Sequence, residues 1–399
     1  MIAEHATVRP PVVDRNTWAA RLVRWRAAWG PGWLVMIADV DAASVLTALE
    51  TGATYRYEMI WFLLALTIPL FFIQEAAGRI GAVTKKGLGT LARENYTRRQ
   101  TWAVVLPMAG ADVATYVAEY AGIAIGLGLF GISPLVSLPL AFALHIGIVA
   151  HGRYVWAERI LLGVSAGLIL VIVATLLLRG VPAYSPPVIS ASPSYLFLLA
   201  ANAGAVVMPF MLFFQSSATA EKQGSVRFTR NETLVGAVVS EGLMIALVMV
   251  AAGVGGTASF TSAHGLASAI SPLAGAWAPY LLGAALVAAA FLALVVISLG
   301  SAWGVVEALG LRRDRTLWIY VAESVPAVVV PILFPHLITL VLVLMVLMVF
   351  VLVGPGILVG QLSASEKLMG PHASRGVWRW AYWASLGFIL LFGVLAVTA

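Results

Sequence analysis

A chain of 399 residues that is 61% hydrophobic and 11% charged, with a mean hydropathy of +0.95, falls outside the soluble globular class, where about a quarter of residues are charged. Zero cysteines exclude disulfide staples, thiolate metal sites and a thiol nucleophile. The formal charge of +6 is scattered over short loops with no basic aromatic-rich surface, which excludes nucleic acid as a partner and makes the basic residues topology markers.

Residues 1–30 hold five arginines ahead of an apolar run and are expected to form a cytoplasmic N-terminal tail. The following run contains Asp39 and Asp41 and no convincing small-residue cleavage site, so the segment reads as retained rather than as a signal peptide. From residue 31 onward hydropathy predicts about eleven spans: 31–54, 57–82, 102–131, 134–152, 155–178, 194–220, 232–256, 276–307, 315–334, 336–362 and 376–398. Helix is the expected conformation because lipid offers no partner to exposed backbone groups, and the runs are too long and uniformly apolar for a barrel. The fold class is therefore an all-α polytopic membrane protein, a single transmembrane domain over 31–398.

The first span carries two carboxylates where each costs roughly 2.5 to 3.5 kcal/mol at the bilayer centre, which marks a site. Asp41 and Ser44 share a helix face at three-residue spacing, whereas Asp39 points elsewhere. An unwound segment here would end a half-helix in free carbonyls and negative dipole, a setting for a cation. The competing structural reading is that one aspartate caps the second half-helix or pairs with a buried arginine.

In the third span Asp112, Thr115, Tyr116 and Glu119 recur at three- and four-residue spacing and form one polar stripe. Such a stripe in lipid must face the protein interior, as a proton relay or as a hydrogen-bonded staple between helices. In the sixth span Pro209 has no N–H and disfavours helix just before it, so carbonyls around Ala205 are expected to be released beside Met208. A thioether is more often core filler, but beside a carboxylate it suits a softer transition metal. Breaks five spans apart predict a five-plus-five inverted repeat, about 31–178 and 194–362, with an extra helix at 376–398 and a site at mid-membrane. His145, Asn202, Gln215, Glu241, Glu307 and Glu323 are lone polar residues that either line cavities or pair between helices.

Of the 24 Lys and Arg residues, all but Arg56 and Arg179 fall in one alternating set of loops plus the N-terminus. The N-terminus is thus expected in the cytoplasm and the C-terminus outside, with a bacterial inner membrane as the setting. No zinc-protease, serine-hydrolase or Walker signature is present, so the chain is read as neither an enzyme nor an ATP-driven pump, and no cofactor is expected.

The chain resembles the Nramp (SLC11) family of divalent-metal transporters through Gly30 to Ala38, Ala76 to Thr84, Ala118 to Gly122, Gly204 to Pro209 and Ser365 to Gly370. The resemblance implies a LeuT-type inverted repeat with helices 1 and 6 broken, and exchange of Mn or Fe with protons by alternating access. The family's first-helix Asp-Pro-Gly-Asn falls on Asp41, Ala42, Ala43 and Ser44, and its Met-Pro-His falls on Met208, Pro209 and Phe210. By resemblance the metal ligands are the side chains of Asp41, Ser44 and Met208 and the carbonyls of Ala38 and Ala205. Glu119 falls where the family keeps a glutamate implicated in proton movement; Asp39 and Asp112 are grouped with it as proton-pathway candidates, and Tyr116, Phe210 and Gln215 as further cavity residues. The chain departs from the family where Phe210 and Gln215 replace histidines and Asp39 an aromatic residue, so two groups that titrate near neutrality are missing.

The expected function is secondary transport of divalent metal, Mn²⁺ favoured, with protons as a candidate second substrate. The alternatives are Mg²⁺ or another hard cation without proton coupling, a small organic solute whose amine pairs with Asp39 or Asp41, and a non-transporting sensor on the same fold. The sequence leaves the oligomeric state open.

Overall fold

The structure, a computed structural model, describes residues 30–150, 189–252, 275–312, 315–334 and 336–399. The N-terminal tail and the fifth span predicted at 155–178 lie outside the described residues. Among the described residues the regular elements are all helical.

The first span is two helices, α1 (Pro31–Ala38) and α2 (Ala42–Tyr55), bent by 50° at their junction. Pro31 starts α1 because the N–H it lacks would have no partner there. Helix α3 (Ile60–Thr84) follows, then α4 (Leu88–Asn95), α5 (Arg98–Gly128) and the shorter α6 (Pro134–Ala150). The sixth span is again two helices, α7 (Pro193–Val206) and α8 (Pro209–Glu221). Helices α9 (Val226–Ala252), α10 (Ala278–Leu309) and α11 (Thr316–Leu333) come next. The tenth span divides into α12 (Leu337–Val351) and α13 (Val353–Ala364), and after the one-turn α14 (Glu366–Met369) the chain ends in α15 (Gly376–Thr398).

Among the described residues eight helical stretches are long and apolar enough to cross a membrane, and the bent α1–α2 pair makes a ninth. With the 17-residue α6 as a tenth, the described residues follow the predicted order of spans. Three boundaries differ for local reasons. The third span starts at Arg98 rather than 102 because Thr97 and Gln100 form a capping box, with Thr97 N–H donating to Gln100 Oε1 at 3.0 Å. The tenth span is interrupted at Leu352 because Pro355 has no N–H for the Val351 carbonyl. The connection between the spans predicted at 57–82 and 102–131 contains α4, whose Leu88, Leu91 and Ala92 are buried while its charged residues stay exposed. Eight amphipathic residues are too few to register in a hydropathy window.

The broken pair α7–α8 runs through the middle and is buried along most of its length, whereas α15 lies at the periphery. Helix α9 packs against α1, α2 and α3, helix α10 against α5 and α8, and α11 against α5. Loops expected on one side of the membrane do meet at one end. Lys85 Nζ donates to the Gly224 carbonyl at 3.1 Å, and Arg79 donates to the His372 carbonyl and, at 2.8 Å, to Ser374 Oγ. Arg79 also pairs with Glu75 at 3.0 Å, and Arg230 reaches the same carboxylate at 3.1 Å while its guanidinium lies 4.4 Å from the Trp378 ring centroid. This network ties α3, α9 and α15 together at that end.

Candidate metal site at two broken helices

In a continuous helix the carbonyl of Ala38 would accept the N–H of Ala42. That N–H goes instead to Glu119 Oε2 of α5 at 3.2 Å. The Ala38 carbonyl therefore loses its helical donor at the point where α1 stops. Asp41 then opens α2: its backbone is extended (φ −84°, ψ 179°) and its Oδ1 accepts the Ser44 N–H at 2.7 Å. The capping reading is thus realised, but by one oxygen only. Asp41 Oδ2 is buried with no hydrogen-bond partner, and among the described residues no arginine pairs with Asp41.

The second break has a different origin. The carbonyl of Ala205 would need the N–H of residue 209, which is a proline. Pro209 also forces extended backbone before it, and Val207 (ψ 98°) and Met208 (ψ 147°) adopt it. Met208 is fully buried, and its N–H faces Met211 Sδ at 3.4 Å. The Ser44 hydroxyl reaches the freed Ala205 carbonyl at 3.4 Å, so the two breaks meet across 161 residues of sequence. Substituting Pro209→Ala supplies the missing N–H; closure of the break should weaken cation binding by about 1 kcal/mol, roughly fivefold, in isothermal titration.

The remaining candidates fall into three places. Glu119 lies within electrostatic reach of Asp41, with Oε1 unpartnered, and belongs to the break region. Asp39 points away: its Oδ2 accepts from Ser240 Oγ at 3.0 Å, with Glu241 close by. Asp112 and Tyr116 lie on the same face of α5 as Glu119, all buried, with Asp112 two turns away from it. Phe210 is buried with its carbonyl against Gly300 of α10. Gln215 Nε2 donates to Thr233 Oγ1 at 2.7 Å, between α8 and α9.

The lone polar residues divide. Asn202 bonds Thr51 Oγ1 at 2.8 Å, Glu307 accepts from Ser217 at 3.2 Å, and both nitrogens of His145 are engaged by Tyr120 at 3.0 Å and Ser298 at 2.9 Å. These are interhelical pairings. Glu241 has no partner for either oxygen, and Glu323 has one for a single oxygen. Sequence reading passed over Ser240, Ser301 and Glu232. Glu232 accepts the Gly32 N–H at 3.0 Å, so that carboxylate from α9 serves the N-terminus of α1. Nothing in local spacing marks a partner 200 residues away, although Gly30 and Gly32 are the residues whose missing side chains admit it. Among the described residues no three His, Cys, Asp or Glu side chains come together as a metal cluster, so a cation at the breaks would depend on the carbonyls, the hydroxyl and the thioether.

The family profile described as natural resistance-associated macrophage protein-like, Nramp, matches residues 32–399. The chain belongs to the Nramp family. A divalent metal cation transporter, MntH, of Acidiphilium cryptum is 29% identical over 307 residues, covering 68% of this chain and 69% of the relative. The MntH of Klebsiella pneumoniae is 28% identical over 229 residues, and there the chain spans about half the relative's length, 55%. The solved structure of a variant of the Eremococcus coleocola manganese transporter superposes with a TM-score of 0.79 at 18% identity, covering 97% of this chain and 88% of that one. Mhp1, a nucleobase-cation-symport-1 family transporter, gives a TM-score of 0.51 at 14% identity over 92% of each chain. These two likenesses support the LeuT-type fold of this Nramp chain; its apolar spans make it an integral membrane protein, and its first and sixth helices are broken.

Proposed function

We propose that this Nramp chain is a secondary transporter of divalent metal ions, Mn²⁺ favoured, working by alternating access rather than by catalysis. The observation that carries the reading is the meeting of the two breaks through Ser44 Oγ and the Ala205 carbonyl, beside an unpartnered Asp41 oxygen and the buried Met208. Each break frees a main-chain oxygen where lipid would otherwise demand a hydrogen bond, and a cation supplies what the helix withholds. The ligand set is Asp41, Ser44, Met208 and the carbonyls of Ala38 and Ala205. It mixes hard oxygens with one soft sulfur, which suits Mn²⁺ and Cd²⁺ better than Mg²⁺. Relatives named as divalent metal cation transporters point the same way.

Binding draws the half-helices together, and rocking of one bundle against the other exposes the site to the opposite side. Protons are the proposed counterpart, held by Glu119 next to Asp41 and by Asp39 and Asp112 farther off. The proposed orientation places the N-terminus and the basic loop end in the cytoplasm of a bacterial inner membrane, with the C-terminus outside.

Met208→Ala tests the sulfur. Cd²⁺ affinity should fall about tenfold or more while Mg²⁺ affinity changes little, measured by isothermal titration on the purified transporter. Equal losses for both ions would remove the thioether from the ligand set, and a wild type that prefers Mg²⁺ would favour the hard-cation alternative. Proteoliposomes loaded with a pH dye report the protons: metal entry without acidification means uncoupled transport.

A further inference from the structure

About 10 Å along α5 from Glu119, at two helical turns, a second polar group is enclosed by α5, α10 and α11. Asp112 is fully buried and neither of its oxygens has a hydrogen-bond partner. Glu323 is 7% exposed; Ser301 Oγ of α10 donates to its Oε2 at 2.9 Å, and its Oε1 is unpartnered. Asp112 and Tyr116 are one turn apart on α5, Tyr320 and Glu323 one turn apart on α11, and the two tyrosine rings face each other across the packed helices with centroids 6.0 Å apart, so both carboxylates belong to the α5–α11 seam. The hydroxyl of Tyr116, one turn along α5 from Asp112, is also buried without a hydrogen-bond partner. The Tyr320 hydroxyl is likewise unpartnered, with its ring centroid 6.0 Å from that of Tyr116.

The basic residues nearby do not answer these charges. His145, whose ring centroid is 4.8 Å from that of Tyr320, has both nitrogens engaged by Tyr120, Ser298 and the Leu294 carbonyl. Arg79 and Arg230 pair with Glu75, Lys86 with Glu94 and Arg375 with Glu366. Two enclosed carboxylates without a basic partner among the described residues are neutralised by protons, as proposed above for Asp112, or by a cation that displaces them. Every free donor in the group is an oxygen, with no sulfur and no available imidazole. Hard divalent cations take such donors, whereas the thioether at the helix breaks selects for softness.

We propose that Asp112, Glu323, Ser301 and the Tyr116 hydroxyl form a second divalent-cation site, of hard-ion type, separate from the one at the broken helices. One dication balances the two carboxylates, and the site fills at higher concentration than the first because it offers four ligands against five. Its existence does not depend on the ligand set assigned to the breaks.

Equilibrium dialysis of the full chain in detergent against Mn²⁺ counts the ions. The wild type should bind two, Asp41→Ala one, and Asp112→Asn and Glu323→Gln one each, the retained tight ion showing that these near-isosteric variants are folded. The double variant Asp41→Ala with Glu323→Gln should bind none. Two ions in both Asp112→Asn and Glu323→Gln, or none in Asp41→Ala, overturns the second site. Two ions in Asp41→Ala would instead overturn the first. Should both acid variants bind nothing, Ser301→Ala decides: two ions of unchanged affinity overturn the proposal, and selective loss of the weaker one supports it.

Discussion

Asp41→Ala should abolish metal uptake into proteoliposomes and weaken Mn²⁺ binding by at least about 100-fold, close to 3 kcal/mol. Asp41 does two things at once. Its Oδ1 caps α2 through the Ser44 N–H at 2.7 Å, and its Oδ2 is a buried carboxylate oxygen without a partner. Loss of a helix cap alone costs about 1 kcal/mol of stability and would leave binding nearly intact. Loss of the charge removes the formal negative ligand of the proposed site. Asp41→Asn separates the two: its side-chain oxygen can still accept from Ser44, so stability should be retained while Mn²⁺ affinity still falls. Uptake by Asp41→Ala at the wild-type rate would end the proposed function.

Gly204→Val should destabilise the fold by about 3 kcal/mol, read as a loss of folded yield and of thermal stability in detergent. A side chain built on Gly204 would run into the Met345 carbonyl, a backbone atom that cannot rotate aside. Glycine here lets α7 lie directly against α12, close beneath the break that frees Ala205. Helix association in membranes relies on such small-residue contacts, because lipid is as apolar as a leucine side chain. Gly110, with open space around it, is the control, and Gly110→Ala should leave yield unchanged. Equal yields for Gly204→Val and wild type would mean that α7 and α12 can separate freely.

Parts of the site could be read residue by residue. Pro209 takes away the one N–H that the Ala205 carbonyl needs, which is a covalent fact and holds in any fold. The Asp41 and Ser44 spacing is that of a helix cap, and the structure forms the cap. The first break was harder, since Asp41, Ala42 and Ala43 include no residue that forbids helix. What opens it is Glu119 capturing the Ala42 N–H from 77 residues away. The short helix α4 escaped notice because its buried face is made of only Leu88, Leu91 and Ala92.

The sequence alone determined that this chain lives in a membrane, because 61% apolar residues cannot be hidden in a water-soluble core of this size. It also determined which loops share a side and where the sixth helix must break. Tertiary structure decided which polar groups are satisfied. Glu241 and Glu307 look alike in sequence, yet Glu307 meets the Ser217 hydroxyl and Glu241 meets no hydrogen-bond donor. Asp39 and Asp41 are two residues apart, yet one turns to Ser240 and the other to Ser44. Hydropathy is a sum over neighbours in the chain, but a buried carboxylate is answered by whichever donor packing brings within about 3 Å, and that donor can come from anywhere in the sequence.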